Sequence, residues 1–249
     1  MTELMLESAT NFKKCIDAIS VLIDEAEFTI DKEKLSLKAT DPSQISMIDF
    51  EIPKSAFKEF NLAAPTKIGL DLDYLSQIMA RASAKDSLKL SLDEEKSRLK
   101  ITFKGDSTRS FSVSLVDVSA TEPPSPKIEF DAEIRIKADA LQNGLKDAAL
   151  ISSHITVGAD AEEFYIKASS SKGNLKNDTK KGDASLVEMK VKNPASATFP
   201  LDYLADMVKA ASSDTDVTVN LKNDAPIEIS YKIGEASVKY FLAPRIESE

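Results

Sequence analysis

The sequence predicts an α+β fold built from two similar domains, each with two helices packed on antiparallel sheet. The segment Leu72–Leu75 (LDYL) returns as Leu201–Leu204, and at the same spacing Leu35–Ala39 (LSLKA) matches Phe164–Ala168 (FYIKA). Self-similarity at a fixed period indicates a duplicated unit. Within each copy, helical and alternating apolar patterns occur in a mixed order and not as a regular βα series, which favours an α+β arrangement with the helices on one sheet face.

The first copy contains two helical patterns among strands. Apolar residues at spacings of three and four predict a helix over Ala9–Ile23, and a second over about Leu72–Ser83, with Asp73 near its start to accept backbone N–H groups. Alternating patterns predict strands at Glu3–Glu7, Phe28–Ile30, Leu35–Ala39, Ile45–Ile52 and Thr66–Asp71, with three more after the second helix. In the last of these, Arg109–Val116, apolar residues alternate strictly with serines, so one face is expected to be buried.

A proline-rich segment separates the two copies. Asp117–Glu129 carries three prolines, and prolines remove ladder donors and stiffen the chain. We therefore expect an N-terminal domain over 1–116, an extended connector over 117–129 and a C-terminal domain over 130–249.

The second copy repeats the order of the first. Its elements are predicted at Glu133–Lys137 (strand), Ala138–Ile151 (helix), strands through Ala168, Leu201–Ala211 (helix), Asp216–Leu221, Ile227–Ile233 and Ser237–Leu242 (strands). The segment Ser169–Asp183 is rich in Ser, Gly, Asn and Lys, so it is predicted to be either a mobile loop or a polar edge strand.

Composition indicates a globular intracellular protein. The 249 residues are 42% hydrophobic, without an apolar run of the roughly 20 residues that a membrane helix needs and without a signal-peptide pattern. The single cysteine, Cys15, lies in the apolar row of the first helix and is expected to be a core residue. The net charge of −9 argues against a protein that coats nucleic acid, but cations confined to one face can still meet phosphates.

Catalytic and metal-binding motifs do not occur in the sequence. It has only 7 glycines and contains no Walker-type loop, GxGxxG or GxSxG pattern. His154 is the only histidine and is expected at a helix-to-strand junction. Asp71 and Asp73 could be imagined as a metal-binding pair, but Pro200 stands opposite Asp71 in the repeat, so a helix-start role is favoured. We expect no catalytic residue, no metal and no cofactor.

Each predicted helix carries a cation away from its apolar stripe. These residues are Lys13, Lys14, Arg81, Lys146 and Lys209. Ordinary solvated helix faces explain them as well, but four helices packed on one side of duplicated sheets would align the cations into one surface.

Several segments resemble the sliding clamp of DNA replication, proliferating cell nuclear antigen, and especially its archaeal members. They are Val21–Ala26 (VLIDEA), Leu35–Ser43 (LSLKATDPS), the midpoint connector and Tyr240–Glu247 (YFLAPRIE). The resemblance implies the duplicated DNA-clamp fold, a trimer that forms a ring around double-stranded DNA, and helices that line the hole. In such a clamp DNA is held by topology, so only weak, sequence-independent phosphate contacts are needed.

The resemblance also implies sites on this chain. It implies subunit contacts between the strand Arg109–Val116 of one chain and the strand around Asn174–Thr179 of the next, and the interface residues are Arg109, Phe111, Val113, Leu115, Asn174, Leu175 and Lys176. It implies a pocket for short hydrophobic peptides of partner proteins, formed by Thr40, Gln44, Ile45, Met47, Ile128, Phe130, Pro226, Ala243, Pro244 and Ile246. The implied partners are DNA polymerase, clamp loader, flap endonuclease and DNA ligase, without membrane contact.

Two other functions stay open at the level of sequence. An enzyme using acidic loops for metal-dependent hydrolysis would need a carboxylate or histidine cluster, which the sequence does not show. The other is a paralogue of the family that serves as one specialised subunit of a heterotrimeric clamp, with a weakened peptide pocket. The expected location is the cytoplasm of an archaeal cell, associated with the nucleoid, or the nucleus if the source is eukaryotic.

Overall fold

The chain divides into two compact units. The computed structural model describes residues 2–118 and 122–245. The first unit comprises Met1–Pro42, Ile48–Pro123 and Ile233–Val238, and the second comprises Ser43–Met47, Pro124–Lys232 and Lys239–Glu249. In the described residues each copy of the repeat has nine strands and two helices in the same order, which confirms the duplicated α+β fold.

The first copy forms the strands of two sheets. Its elements are β1 (Thr2–Leu6), α1 (Ala9–Ser20), β2 (Glu25–Ile30), β3 (Lys34–Thr40), β4 (Ser46–Pro53), β5 (Glu59–Asn61), β6 (Thr66–Asp71), α2 (Leu72–Met79), β7 (Ser87–Asp93), β8 (Arg98–Lys104) and β9 (Thr108–Ser114). One sheet has the order β5-β1-β7-β8-β9, and β6-β2-β3-β4 are neighbours in another. α1 packs on α2, and α2 on β2 and β6.

The second copy pairs its strands in the same way. Its elements are β10 (Ala132–Lys137), α3 (Ala138–Ala149), β11 (His154–Ala159), β12 (Glu163–Ser170), β13 (Gly173–Lys180), β14 (Leu186–Val191), β15 (Ala195–Pro200), α4 (Leu201–Lys209), β16 (Asp216–Leu221), β17 (Ile227–Ile233) and β18 (Ala236–Leu242). One sheet has the order β13-β12-β11-β15, and β14-β10-β16-β17-β18 are neighbours in another. β1 pairs antiparallel with β7 as β10 does with β16, so the repeat extends to the pairing of strands.

The helices of the two copies begin differently. The Asn11 N–H donates to Ser8 Oγ at 3.1 Å, and the Tyr74 N–H donates to Asp71 Oδ1 at 2.9 Å, so side chains cap α1 and α2. The prediction that Asp73 accepts these groups is wrong, because Asp71 does so; Asp73 lies in the first turn, where its charge suits the helix dipole. α4 starts after Pro200 without a side-chain cap.

Each unit buries its own apolar core. Phe28, Phe50 and Phe103 are almost fully buried in the first unit, as are Phe164 and Phe199 in the second. Cys15 is buried as predicted, and burial raises the pKa of its thiol to about 12, so it stays protonated and unreactive. No helix in the described part of the chain is both long and apolar enough to cross a membrane.

The structure corrects several predicted boundaries. β9 ends at Ser114 and not at Val116, and α2 ends at Met79 and not near Ser83. The short strand β5 and the 3₁₀ turn Lys54–Ala56 were not predicted, because neither shows a periodic pattern of useful length. Of the two predictions for Ser169–Asp183, the polar edge strand is confirmed as β13.

Candidate functional sites

In the first unit the predicted DNA-facing cations differ in their surroundings. Lys13 on α1 lies 2.5 Å from Asp17, one turn further along the helix. Lys14 is exposed on the same helix. Arg81 is also exposed, but it follows α2 in a tighter turn, where its N–H donates to the Ile78 carbonyl at 3.0 Å. The prediction that Arg81 lies on the second helix is therefore wrong, although it adjoins the end of that helix.

In the second unit both cations lie at helix C-termini. Lys146 is exposed in the last turn of α3, and Lys209 is the exposed last residue of α4. Cations at this end of a helix are favoured by the helix dipole. The Gln142 side chain on α3 donates to the carbonyls of Val208 at 2.8 Å and Ala211 at 3.0 Å, which holds the end of α4 in place.

β9 is the last strand of its sheet among the described residues. Its pairing with β8 determines which of its backbone N–H and C=O groups point away from the sheet. The Leu115 N–H donates to the Ser97 carbonyl at 3.0 Å, and the Gly105 N–H donates to the Ser107 carbonyl at 3.2 Å. Along an antiparallel strand, the backbone N–H and C=O groups of successive residues point alternately towards one neighbouring strand and towards the opposite edge. Odd-numbered residues of β9 therefore bond to β8, and those that face the open edge are Thr108, Ser110, Ser112 and Ser114.

The apolar side chains predicted for the interface on β9 point to the buried face of the sheet and not to its open edge. Val113 is 2% exposed, and half-buried Phe111 makes an edge-on ring contact with Phe103 at 5.9 Å. Leu115 lies beyond the end of β9 and is half-buried. The guanidinium of Arg109 bonds the carboxylate of Asp86 within the same unit. These four side chains thus fix the position of the edge strand, while its outer backbone groups stay open.

β13 ends its sheet in the second unit and has the same alternation. The Lys181 N–H donates to the Glu162 carbonyl at 3.1 Å, so odd-numbered residues bond to β12. The residues that face the open edge are Asn174, Lys176, Asp178 and Lys180. Leu175 is half-buried on the inner side. Lys176 donates to the carboxylate of Glu163, and this hydrogen bond raises the pKa of the lysine amine.

Most residues predicted for the peptide pocket belong to the second unit. The Ala243 N–H donates to the Ile45 carbonyl at 2.8 Å, and the Arg245 N–H donates to the Thr198 carbonyl at 2.7 Å. These two bonds attach the tail to Ile45 and to β15. The half-exposed members of the set are Ile45, Ile128, Phe130, Pro226, Ala243 and Pro244.

The remaining predicted pocket residues differ from this group. Gln44 is exposed and has a φ of 57°, a left-handed conformation that fixes a sharp turn before β4. Met47 is only 5% exposed, so its side chain belongs to the core. Thr40 is exposed at the end of β3 in the first unit. Ile246 lies outside the described residues.

The start of the connector is bound to the first unit. The Val116 N–H donates to the Gly69 carbonyl on β6 at 3.0 Å, and a Cβ on Gly69 would lie 2.0 Å from the Val116 carbonyl oxygen. Only glycine allows this crossing. Further along, Lys38 Nζ lies 3.5 Å from Glu122 and 3.6 Å from Asp49. The described connector residues contain no helix or strand.

In the described residues, no three His, Cys, Asp or Glu side chains are arranged to hold a metal ion. His154 starts β11 directly after the α3 junction, as predicted, and its Nδ1 lies 3.2 Å from Ser153 Oγ.

Models of two known domains match the two halves of the chain. The model for the N-terminal domain of proliferating cell nuclear antigen matches residues 1–122, and the model for its C-terminal domain matches residues 125–246. The chain belongs to the proliferating cell nuclear antigen family. The predicted resemblance and the duplicated clamp fold are thereby confirmed.

Individual relatives resemble this member of the family along almost its whole length. The DNA polymerase sliding clamp of Methanococcus maripaludis strain C6 is 38% identical over 245 residues, 96% of each chain. A structure of the C-terminal region of FEN-1 bound to A. fulgidus PCNA matches at 30% identity with a TM-score of 0.91, covering 100% of both chains. The crystal structure of PCNA from Thermococcus kodakaraensis has a TM-score of 0.95 at 24% identity, with 98% of this chain and 100% of that chain covered, and shows the shared fold.

Sequence reasoning missed residues that position the sites. Asp86 is 2% exposed and bonds Arg109, and Gly144 on α3 leaves room for Asn177 on β13, which a Cβ would approach to 3.3 Å. Neither residue belongs to a motif. The Asp86 position carried one local signal, since an aspartate after Ser83 and before a strand is typical of a turn in which the side chain accepts a backbone N–H.

Proposed function

We propose that this chain is a sliding clamp that encircles double-stranded DNA and tethers DNA polymerase and other replication and repair proteins, which confers processivity. The observation that carries the proposal is the match of the whole duplicated chain to archaeal DNA polymerase sliding clamps. The clamp itself acts as a non-catalytic tether and needs neither metal nor cofactor.

The ring is a homotrimer in this proposal. β9 in the first unit and β13 in the second are open edges of comparable length, with four outward-facing residues each. A contact between two different surfaces repeats head to tail and closes into a ring when the rotation permits. The alternation restricts the register, because Ser110, Ser112 and Ser114 of one chain have to bond even-numbered residues of the partner strand β13.

DNA passes through the ring and meets the helix cations. Lys14, Arg81, Lys146 and Lys209 are exposed, whereas Lys13 shares its charge with Asp17. A few cations per chain supply weak contacts to phosphates at any sequence, so the ring can move along the duplex.

Partner proteins bind through short peptides with a hydrophobic plug. The half-exposed apolar residues around Ile45 and the tail Ala243–Pro244 support this, as does the FEN-1 segment bound to the A. fulgidus relative. The proposed partners are DNA polymerase, clamp loader, flap endonuclease and DNA ligase. The proposed domains are 1–116 and 130–249, joined by the connector 117–129, and the proposed location is the cytoplasm close to the nucleoid, or the nucleus in a eukaryote.

A second candidate function is one subunit of a heterotrimeric clamp. The polar side chains on the outer edge of β13 favour it, because Asn174, Lys176 and Asp178 would select a partner edge of matching polarity.

One experiment tests the clamp and separates these two functions. Sedimentation of the purified chain gives a species near three times 27.2 kDa for a homotrimer and a persistent monomer for a heterotrimer subunit. The trimer, loaded onto nicked circular DNA, should stay bound until the circle is cut, after which it slides off the ends. A trimer that stays bound equally well to the cut DNA would contradict topological binding.

A further inference from the structure

The solvent face of β8 carries a row of cations on an otherwise acidic protein. Arg98, Lys100 and Lys104 are exposed, while Leu99, Ile101 and Phe103 between them point into the core. These three cations are called the β8 strip below. The net charge of the chain is −9, so a row of one positive sign is unusual on this surface.

The cations of the strip are not tied up in close ion pairs. None of the three makes an ion pair with a described residue, although Asp93 of the adjacent β7 stands opposite Arg98. Glu3 pairs with Lys89 at 2.9 Å and interacts with Lys104 only at longer range. On the other side, Arg98 and Lys100 stand opposite Ser114 and Ser112 of β9. The three cations are therefore without a close ion-pair partner, and on the β9 side they are flanked by hydroxyl groups, which can donate to the same anion.

The second copy of the repeat lacks such a strip. Its matching strand is β17, where Glu228 takes the place that Lys100 has on β8. Glu228 accepts from Asn220 Nδ2 at 3.0 Å and lies 3.9 Å from Lys239, so its charge is used within the unit. Duplication of the fold thus does not require cations at this position.

We propose that the β8 strip binds an extended acidic peptide of a partner protein. Alternate residues of a strand are about 7 Å apart, so Arg98 and Lys100 match carboxylates two residues apart in an extended peptide, and Lys104 matches a third carboxylate four residues further. The surface is one strand wide, which suits a peptide. At the hairpin end Asp93, which lies 3.4 Å from Lys96, is followed by Glu94 and Glu95, and these acids border the strip where the peptide would end.

Nucleic acid fits the same surface less well. Single strands are held by stacking on exposed aromatic rings, and the one large aromatic side chain exposed among the described residues, Tyr74, lies on α2. A duplex is much wider than the strip and would overlap the acidic border. The acidic peptide is therefore the occupant that the charges favour.

This inference goes beyond the proposed clamp function, because it concerns a sheet face that neither the open edge of β9 nor the peptide pocket uses. Exposed ion pairs are individually weak and are screened by salt. A site of this kind adds to a first contact in the same partner, since tethering raises the local peptide concentration.

The test measures binding of a labelled peptide of about nine residues to the intact protein at low salt. The probe carries Glu at its first, third and seventh positions among Ser and Thr, and a control probe places the same three Glu together. We expect the spaced probe to bind more tightly, Lys100→Ser to weaken it about fivefold, and removal of all three cations to abolish binding. The matched control is Lys32→Ser, which removes an exposed cation from the turn between β2 and β3 of the same unit and should change affinity less than twofold.

Several results would overturn the proposal. Equal binding of the two probes, or an equal loss in Lys32→Ser, would mean that bulk charge alone attracts them. A stronger, Lys100-dependent binding of oligothymidylate would assign the strip to nucleic acid. Absence of binding at low salt would leave the strip without the proposed ligand. None of these results depends on whether the chain forms a ring.

Discussion

Arg109 on the edge strand β9 donates to the carboxylate of Asp86, which is 2% exposed, and donates with its other terminal nitrogen to the Arg81 carbonyl at 2.8 Å. The same carboxylate accepts the Ser83 N–H at 2.7 Å. One buried acid thus ties the edge proposed for subunit contact to the loop that carries a proposed DNA-facing cation. A substitution of Asp86 should therefore alter both the edge strand and the loop that carries Arg81.

Replacing Asp86 by Asn should lower the free energy of unfolding at pH 7 by about 1–3 kcal/mol, because Arg109 loses its charged partner. The Ser83 N–H, and then Arg109, hold the pKa of the Asp86 carboxyl below its ordinary value. A depressed folded-state pKa contributes stability above the unfolded value near 3.9, and this contribution is lost as pH falls through the folded pKa. Denaturant unfolding of both proteins should show a difference in the free energy of unfolding at pH 7. This difference should become smaller below pH 4.

Asp106→Asn is the matched control for this experiment, because its side chain is 84% exposed in a surface pair with Lys85. It should leave the unfolding free energy within about 0.5 kcal/mol of the parent. A difference between Asp86→Asn and the parent that does not depend on pH would show that the carboxylate charge has no part in the effect.

Replacing Ser112 by Pro should prevent trimer formation and leave the monomer folded. The Ser112 N–H faces the open edge of β9, where proline is tolerated within the chain but removes a donor that a partner strand needs. At Val113 the N–H faces β8, so Val113→Pro should break the sheet of the first unit and lower the melting temperature. Sedimentation and circular dichroism distinguish the two variants. Ser112→Val keeps the N–H and should stay trimeric, and a trimeric Ser112→Pro would contradict the proposed interface.

The architecture could be predicted from periodicity, but the orientation of backbone groups could not. The alternation of Phe111 and Val113 with serines predicts a half-buried strand. Which backbone N–H groups face outward depends on the pairing partner, and the bond from Leu115 to Ser97 that sets it joins residues without any pattern. The exchange of Asp73 for Asp71 as the α2 cap has a similar origin, because both acids suit a helix start and backbone geometry decides between them.

The candidate sites were predicted in part for the same reason. The repeat indicated where helices bear cations, and four of the five are exposed. The pairing of Lys13 with Asp17 follows the i, i+4 spacing and was visible in the sequence. By contrast, the crossing of Val116 over Gly69 joins distant segments, and no local signal marks it.

Replacing Gly69 by Ala should detach the start of the connector from β6. The new Cβ would lie 2.0 Å from the Val116 carbonyl oxygen, which is backbone and cannot turn away as a side chain can. Overpacking of this kind typically costs about 1–3 kcal/mol. We expect faster protease cleavage in the connector and a lower melting temperature. Adding Val118→Ala removes the one close side-chain atom, at 3.1 Å, and leaves the Val116 backbone in place, so the double variant should stay equally sensitive; full rescue by Val118→Ala would contradict the backbone clash.

Neutralising Lys146 and Lys209 together should weaken binding of the clamp to DNA and reduce its dependence on salt. Neither lysine pairs with an acid among the described residues, so both charges are available to phosphates. The slope of log affinity against log salt should fall by about 1 for each contact that is lost. Lys13→Gln is the internal comparison and should change the slope less, since Asp17 shares its charge. Equal slopes for the double variant and the parent would place these helix ends away from DNA.

The last prediction concerns the peptide pocket, where two neighbouring residues should respond in different ways. Ile45 is half-exposed and is held through its carbonyl by the Ala243 N–H, so Ile45→Ser should leave the trimer folded. It should nevertheless reduce binding of a partner peptide by about 2 kcal/mol, since the hydrophobic plug of the peptide loses an apolar contact and such plugs dominate the binding energy. Met47→Ser places a hydroxyl in the core, where the side chain is 5% exposed, and should lower stability first.

Calorimetry with a peptide that carries Gln, an aliphatic residue three places later and paired aromatics checks this difference, with circular dichroism to establish folding. Trimer assembly is the control. Neither substitution changes the edges of β9 and β13, so both variants should still form trimers if they are folded. Normal peptide affinity in a folded Ile45→Ser trimer would remove Ile45 from the pocket. The same affinity loss in a folded Met47→Ser trimer would mean that peptide affinity depends on the packing beneath the pocket as well as on its surface.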